Sequence, residues 1–120
     1  MSIKFTKTHE WVKFTDDNTA YIGITDYAQS ELGDVVYIRL PEAGETLTTG
    51  QPFTDIESVK AVSEIFSPVD GVVSESNELL DAAPELINEA PYDTWIIKAE
   101  NINKTAEFLT EEEYNEIIKG

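Results

Sequence analysis

Two β-favouring segments meet at one lysine in the middle of the chain. In the stretch Ile56–Ile65, apolar and mostly β-branched residues alternate with polar residues on both sides of Lys60. Alternation of this kind is typical of strands with one buried face. The sequence therefore predicts a strand, a tight corner and a second strand, with the amine of Lys60 at the corner. Because the chain has 8 basic residues against 24 acidic ones, that amine is an isolated cation.

Short strand-like runs separated by turn residues continue on both sides of this corner. Such runs, without long helical periods between them, favour antiparallel sheets. The predicted elements are a hairpin over residues 5–24 that turns at 15–18, a strand over 34–40 buried on much of both faces, a hairpin turn at Asp70–Gly71, an irregular or briefly helical crossover over 77–88, and a last strand over 94–99.

Capping patterns predict one short helix inside the chain. Thr25 or Asp26 can cap a helix that runs through Leu32. Gly33 follows this segment and suits the position just after a helix, where positive φ angles are common. The predicted helix has two turns at most.

A second capping pattern predicts a helix at the C-terminal end. Thr110 is followed three residues later by Glu113, which is the spacing of a capping box, and Leu109 precedes the cap as a hydrophobic staple residue. We expect a helix at about residues 110–119. Its buried face is predicted to contain Tyr114, Ile117 and Ile118.

These elements together predict a mostly β fold. Short strands, one small internal helix and one C-terminal helix are typical of a compact sandwich or a flattened barrel. At 120 residues, the chain is predicted to form a single domain over residues 1–120.

The charge of the chain limits its partners. The formal net charge is −16, which argues against binding nucleic acid or an anionic bilayer. Steering towards a basic partner and simple solubility are both compatible with this charge. The sequence contains no cysteine and no apolar run of the roughly 20 residues that a membrane span needs. We therefore expect no membrane insertion and a cytoplasmic location, since the N-terminal residues lack the apolar run of a secretory signal.

Side chains for a self-sufficient catalytic site are missing from the sequence. His9 is the single histidine, and no cysteine nucleophile, glycine-rich phosphate loop or cluster of metal ligands is present. A lone histidine beside Trp11 is more typical of a packed residue than of a ligand. The acidic pair Asp16–Asp17 lacks the spacing of a calcium loop. We therefore expect no catalytic residues and no metal, so that any catalysis would be supplied by partners or by an attached cofactor.

Several blocks of sequence resemble the glycine cleavage system H-protein family. The attachment segment of that family is similar to Glu57–Ala61, and further blocks match in the same order along the chain. The matching blocks are Thr8–Val12, Ile22–Gln29, Leu32–Val36, Leu40–Glu45, Ser67–Gly71 and Leu86–Asn88. This resemblance implies the lipoyl/biotinyl-carrier type of fold, the barrel-sandwich hybrid.

The resemblance also implies a cofactor and a set of partners. Lipoic acid would be attached by an amide to Lys60 as N6-lipoyllysine, after the action of a lipoyl ligase or lipoyl transferase. The implied exchange partners are glycine decarboxylase, the aminomethyltransferase and dihydrolipoamide dehydrogenase. The chain would carry the aminomethyl group of glycine from the first to the second and reducing equivalents to the third.

Family positions that shelter the loaded arm match particular residues of this sequence. They correspond to Thr8, Glu10 and Glu64, where carboxylates would face the ammonium of the loaded group. A further position near the arm corresponds to Glu31 and is often histidine in the family. The resemblance thus implies a pocket for the arm with Glu31 as its least typical member.

Other functions remain open from the sequence. The chain is compatible with a relay that donates lipoyl groups to other complexes, or with an unmodified acidic binding module. A lipoyl or biotinyl domain of a dehydrogenase or carboxylase fits less well, because Val59–Lys60–Ala61 differs from the residues that usually flank those lysines. A small hydrolase that uses two carboxylates is a further alternative.

Overall fold

The computed structural model describes residues 3–119. Nine strands and four helices follow one another in this part of the chain. They are β1 Ile3–Phe5, β2 Glu10–Asp16, β3 Thr19–Ile24, α1 Asp26–Leu32, β4 Val35–Ile38, β5 Thr46–Leu47, β6 Pro52–Ser58, β7 Val62–Phe66, β8 Val69–Ser76, α2 Leu79–Ala82, α3 Leu86–Glu89, β9 Ile97–Thr105 and α4 Glu111–Lys119.

The strands form two antiparallel sheets. One sheet has six strands in the order β1-β2-β3-β9-β8-β5, and the other has three strands in the order β4-β6-β7. The predicted mostly β fold is therefore confirmed as two sheets with a C-terminal helix, and the described strands do not close into a barrel. The hairpin of β2 and β3 is also confirmed, with Val12 opposite Ile22.

The main core lies between the two sheets. Val12 and Ile97 of the six-stranded sheet, Ile56 of the three-stranded sheet and Ile87 of α3 are buried in one cluster. Burying such side chains stabilises a fold by roughly 1.5–3 kcal/mol for each residue. This core therefore fixes the three-stranded sheet, and with it the position of the β6–β7 turn.

A smaller cluster attaches α4 to the edge of the six-stranded sheet. Phe5, Trp11 and Leu109 are buried there against Tyr114. The predicted capping box is present, because Thr110 Oγ1 accepts from the amide of Glu113 at 3.2 Å and Glu113 Oε1 accepts from the amide of Thr110 at 2.9 Å. Tyr114 is thus held at a fixed position beside β1 and β2.

One residue on the predicted buried face of α4 is placed differently. Ile117 is 43% exposed, whereas Ile118 packs partly against the smaller cluster. The helix makes its main contact with the edge strand β1, so the buried stripe is narrow and excludes Ile117.

The strand predicted over 34–40 is present, but the prediction that it is buried on much of both faces is wrong. Strand β4 is shorter, and only Val35 and Ile38 are buried in it. A bulge between β4 and β6 places both Val36 and Tyr37 on the solvent side, 50% and 52% exposed. A bulge inserts an extra residue, so the usual inward and outward alternation fails there.

The hairpin predicted at Asp70–Gly71 is also wrong. Strand β8 continues through these residues and pairs with β9, which extends to Thr105 beyond the predicted end of the last strand. Gly71 lies at a register shift, and a Cβ on it would stand 2.7 Å from the carbonyl oxygen of Glu100. The glycine therefore allows close approach of two backbones rather than a turn.

No helix within residues 3–119 has the length and apolar character required to cross a membrane. In the same residues, no group of three or more histidine, cysteine, aspartate or glutamate side chains is arranged to hold a metal ion.

Candidate functional site

The turn between β6 and β7 is built around Ser58. Its hydroxyl accepts hydrogen bonds from the amides of Lys60 and Ala61, both at 3.2 Å, and donates to the carbonyl of Ala61. The amide of Ser58 also donates to that carbonyl at 2.8 Å. Local side-chain bonds of this kind stabilise turns. The corner predicted from the sequence is confirmed as a short turn over Val59, Lys60 and Ala61.

The turn is also fixed to the segment that precedes β4. The amide of Val59 donates to the carbonyl of Asp34 at 3.0 Å, which continues the ladder between β4 and β6. Lys60 is therefore presented from a turn that is hydrogen-bonded on two sides.

The side chain of Lys60 is exposed and lies over the end of α1. Its Nζ is 3.4 Å from the backbone oxygen of Glu31. A Cβ on Gly33 would stand 2.9 Å from Cε of Lys60, so the lysine uses space that only glycine leaves free. The ion pairs present within residues 3–119 join Arg39 to Asp55 and Lys119 to Glu116. The amine of Lys60 therefore has no carboxylate partner in the described chain and can be approached from solvent.

Glu10 is the most buried carboxylate of the candidate site. Its side chain is 2% exposed, and its Oε1 accepts from the hydroxyls of Thr6 at 2.7 Å and Thr8 at 2.5 Å. Burial raises the pKa of Glu10 to about 7, while the two threonine hydrogen bonds oppose that shift. Since desolvation disfavours the charged form, a cation brought beside this carboxylate would favour its ionisation.

Glu10 faces a cavity of about 310 Å³. Thr8 and Thr49 supply polar groups to its wall, and Phe66, Pro68 and Ala106 supply apolar surface. Thr49 Oγ1 is buried without a hydrogen-bond partner of acceptable geometry in the described chain, although its amide donates to Asp70 at 2.7 Å. The cavity thus combines apolar walls with one buried carboxylate and the side chains of Thr8 and Thr49.

Strand β7 connects the lysine turn to this cavity. Val62, Glu64 and Phe66 alternate with the more buried Ser63 and Ile65, so they share the outer face of β7. Phe66, at the end of this row, is also a wall of the Glu10 cavity. The exposed face of β7 therefore leads from the Lys60 turn past Glu64 to Phe66, which borders the Glu10 cavity.

The four residues that the resemblance implies for the arm pocket lie in three different places. Thr8 and Glu10 lie together in the cavity. Glu64 lies outside the cavity wall, on the exposed face of β7 opposite Asp55. Glu31 lies beside Lys60 through its backbone oxygen, and its carboxylate raises the pKa of the Tyr27 phenol.

Several residues of the site have no clear signal in the sequence. Thr6 bonds Glu10 across a tight turn, and Thr49 and Phe66 reach the cavity from distant parts of the chain. His9 is packed rather than free, because its Nδ1 lies 2.7 Å from the hydroxyl of Tyr114 and burial lowers its pKa. The resemblance implied Thr8, and Thr6, two residues before it, is the one further partner of Glu10 that this spacing could have indicated.

An exposed lysine on a hydrogen-bonded turn, with a cavity at the end of the adjoining strand, is the arrangement expected of a carrier protein. The comparisons with known proteins agree with this class. The model of the glycine cleavage H-protein family matches residues 3–120.

Relatives at high identity are glycine cleavage proteins as well. A glycine cleavage system H protein of Lachnoclostridium phytofermentans is 52% identical over 118 residues, covering 98% of this chain and 93% of the relative. A probable H protein of Thermococcus gammatolerans is 54% identical over 99 residues, covering 82% and 74%. The crystal structure of a glycine cleavage system H protein from Mycobacterium marinum matches with a TM-score of 0.91 at 32% identity, covering 99% of this chain and 98% of that one.

The chain belongs to the glycine cleavage H-protein family, the lipoyl carriers of glycine cleavage. The family and the carrier function predicted from the sequence are therefore confirmed.

Proposed function

We propose that Lys60 is the residue of this chain that carries the lipoyl group, through an amide at Nζ. The observation that carries this proposal is the exposed lysine on the Ser58-braced turn, at the start of a strand that ends in the Glu10 cavity. A rigid base with a flexible arm lets one attached group reach several separate sites. The lipoyl group on Lys60 would then be exchanged with three partner enzymes, which are glycine decarboxylase, the aminomethyltransferase and dihydrolipoamide dehydrogenase. We expect this exchange to take place in the cytoplasm.

The residues of the cavity fit a lipoyl arm in chemical terms. The arm is mostly hydrocarbon, which suits the walls formed by Phe66, Pro68 and Ala106. The hydroxyl of Thr49, a residue of the cavity wall, can accept or donate a hydrogen bond to a guest. When bound, the lipoyl group supplies a dithiolane that accepts the aminomethyl group of glycine and later delivers reducing equivalents.

Glu10 is suited to hold a cationic end group in this cavity. Its carboxylate is already oriented by Thr6 and Thr8, so little side-chain freedom remains to be lost on binding. An ammonium beside it would form a charge-assisted hydrogen bond and would lower the raised pKa of Glu10. Docking would also exclude water from the carried group, which is prone to hydrolysis.

Glu64 has a different proposed role. It is exposed and midway along the outer face of β7, so it can attract a positive end group along this face without enclosing it. Glu31 is proposed to contact only the base of the arm, since its backbone oxygen is near Nζ of Lys60.

Peptide mass mapping tests the attachment site. Protein from cells that contain a lipoyl ligase should carry the lipoyl mass on the peptide containing Lys60, and protein from ligase-deficient cells should not. Lys60→Arg should abolish the adduct and all glycine oxidation. The matched control is Lys104→Arg, which changes an exposed lysine of β9 and should keep full modification. An adduct retained in Lys60→Arg would refute the assignment.

The lifetime of the loaded protein tests the pocket. Glu10→Gln keeps the hydrogen-bond acceptor for Thr6 and Thr8 but removes the charge, so the loaded group should be lost about tenfold faster while lipoylation stays intact. Glu64→Gln should have a smaller effect. Glu75→Gln, at an exposed position on β8, is the control and should match the unchanged protein.

A further inference from the structure

Exposed apolar side chains gather around Lys60. Seven large apolar residues within residues 3–119 are strongly exposed, and four of them lie on the three-stranded sheet or its β6–β7 turn. These four, which we call the flank patch, are Val36, Tyr37, Val59 and Val62, with exposed fractions of 50%, 52%, 67% and 64%. Concentrated exposed apolar surface usually marks an interaction site.

The strand pairings place the flank patch on one surface. Tyr37 lies opposite Glu57, and Glu57 lies opposite Val62, so the three residues form a row across the sheet. Directly opposed residues have side chains on the same face. The bulge in β4 turns Val36 outward beside Tyr37, and Val59 is bonded to Asp34 at the entry to β4. Lys60 emerges between Val59 and Val62.

Carboxylates surround this apolar surface. Glu31, Asp34, Glu57 and Glu64 are all exposed near it. Between Lys13 and Lys98 the sequence contains two basic residues, Arg39 and Lys60. Arg39 is engaged with Asp55 at 3.8 Å and with the carbonyl of Phe53 at 2.9 Å. The complementary partner surface is therefore apolar and ringed by arginine or lysine.

We propose that the flank patch is the docking surface for the enzyme that attaches the lipoyl group, a proposal that rests on Lys60 being the attachment site. An acyl carbon must come within about 3–3.5 Å of Nζ to react. The unmodified lysine side chain is much shorter than the lipoylated arm, and it lies against Gly33. An enzyme that reaches Nζ therefore also covers the residues on both sides of Lys60. Enzymes that act later react with the far end of the arm and do not have to cover the residues around Lys60.

The chemical step is an acyl transfer from an activated lipoyl donor, such as a lipoyl adenylate. The bond between Nζ and the lipoyl carbonyl carbon forms, and the bond from this carbon to the phosphate oxygen of the adenylate breaks. Nζ loses its extra protons to solvent or to a base of the enzyme, and AMP leaves. The flank patch supplies binding only, so its loss should raise KM and leave kcat unchanged.

The test uses the unmodified full chain with a lipoate–protein ligase, lipoate and ATP, followed by intact mass. The patch variant combines Val36→Ser with Tyr37→Ser, which are solvent-exposed positions and should leave the melting temperature nearly unchanged. The control variant is Ile117→Ser, which removes exposed apolar surface on α4, away from the three-stranded sheet. We expect KM for the patch variant to rise about tenfold, and the control to stay within about twofold.

Each other outcome has a defined meaning. Equal KM values for the patch variant and the unchanged protein, or equal losses in patch and control variants, overturn the docking proposal. The patch variant can also be lipoylated chemically and assayed with glycine decarboxylase by the exchange of labelled carbon dioxide into glycine. If this exchange falls by the same factor as the ligase reaction, the assignment of the patch to the attaching enzyme is overturned. Failure of the unchanged protein to accept lipoyl at Lys60 instead overturns the proposed attachment site.

Discussion

The imidazole Nδ1 of His9 lies 2.7 Å from the phenol oxygen of Tyr114, which joins the C-terminal helix to the residue just before Glu10. The same phenol oxygen is 2.7 Å from Thr25 Oγ1, the N-cap of α1. His9 has a φ of 73°, an uncommon conformation for a residue other than glycine. Tyr114 therefore holds a strained turn next to the cavity and fixes the start of the helix whose end lies beside Lys60.

Removing the phenol oxygen should destabilise the protein without a change in packing volume. Tyr114→Phe leaves His9 and Thr25 without this partner, and we expect a loss of about 1–3 kcal/mol in the free energy of unfolding, measured with urea. Tyr37→Phe is the control, because Tyr37 is 52% exposed and should change stability by less than about 0.5 kcal/mol. Equal stabilities of the two variants would show that the bonds to Tyr114 contribute nothing.

Glu10 should give the stability of the protein an unusual pH dependence. Its pKa rises from the ordinary 4.5 to about 7 because the carboxyl is buried. Between these values the folded state keeps a proton that the unfolded state releases. Retention of this proton therefore stabilises the folded state fully below pH 4.5, and the stabilisation is lost as the pH rises to 7. The total change in the free energy of unfolding is about 3 kcal/mol.

The glutamine variant isolates this contribution. Glu10→Gln cannot ionise, so its stability relative to the unchanged protein should improve between pH 4 and pH 8 by about 3 kcal/mol, measured by urea unfolding across that range. Glu64→Gln, an exposed position, serves as the control, and its stability should run parallel to that of the unchanged protein. A Glu10→Gln curve that is parallel as well would mean that folding does not raise the pKa of Glu10.

The parts of the fold that depend on local chemistry could be predicted from the sequence. The Lys60 turn followed from β-branched residues on both sides, and the caps at Thr25 and Thr110 followed from their side-chain oxygens. The outward turn of Val36 could not be predicted, because a bulge depends on pairing between β4 and β6. Gly71 was misread as a turn for the same reason, since its close contact is with the distant strand β9.

In the candidate site, too, the features that are local in the sequence could be predicted and those that depend on distant contacts could not. Lys60 and Glu10 were found through motifs that are local in the chain, and the alternation of β7 places Glu64 between them. The cavity itself is formed where Thr49 and Phe66 meet the β1–β2 turn. Such contacts follow from the packing of two sheets, which a single sequence does not specify residue by residue.

Gly33 should control the resting position of the Lys60 side chain. Its φ of 80° and ψ of −163° lie in a region that is nearly restricted to glycine, so Gly33→Ala should cost about 1–3 kcal/mol of stability. The new Cβ would also stand 2.9 Å from Cε of Lys60 and would displace the amine from the oxygen of Glu31. The 13C resonance of Cε should therefore shift.

A second glycine separates these two effects. Gly44 has a φ of 95° and no atom within 4 Å of the position of an added Cβ. Gly44→Ala should therefore destabilise the protein through backbone strain while leaving the Cε resonance of Lys60 unchanged. If both variants moved the resonance, the change would report general loosening of the fold and not a direct contact with Gly33.

Ser58 should determine the rigidity of the turn that presents Lys60. Ser58→Ala removes the acceptor for the amides of Lys60 and Ala61, and we expect a loss of about 1–2 kcal/mol in the free energy of unfolding. Hydrogen exchange of these two amides should become at least about tenfold faster, because their opening no longer breaks a hydrogen bond. Ser63→Ala on β7 is the control, as Ser63 makes no side-chain hydrogen bond within residues 3–119. Unchanged exchange at Lys60 in Ser58→Ala would mean that the strands alone hold the corner, and the rigid base required for a carried arm would then come from the pairing of β6 with β7.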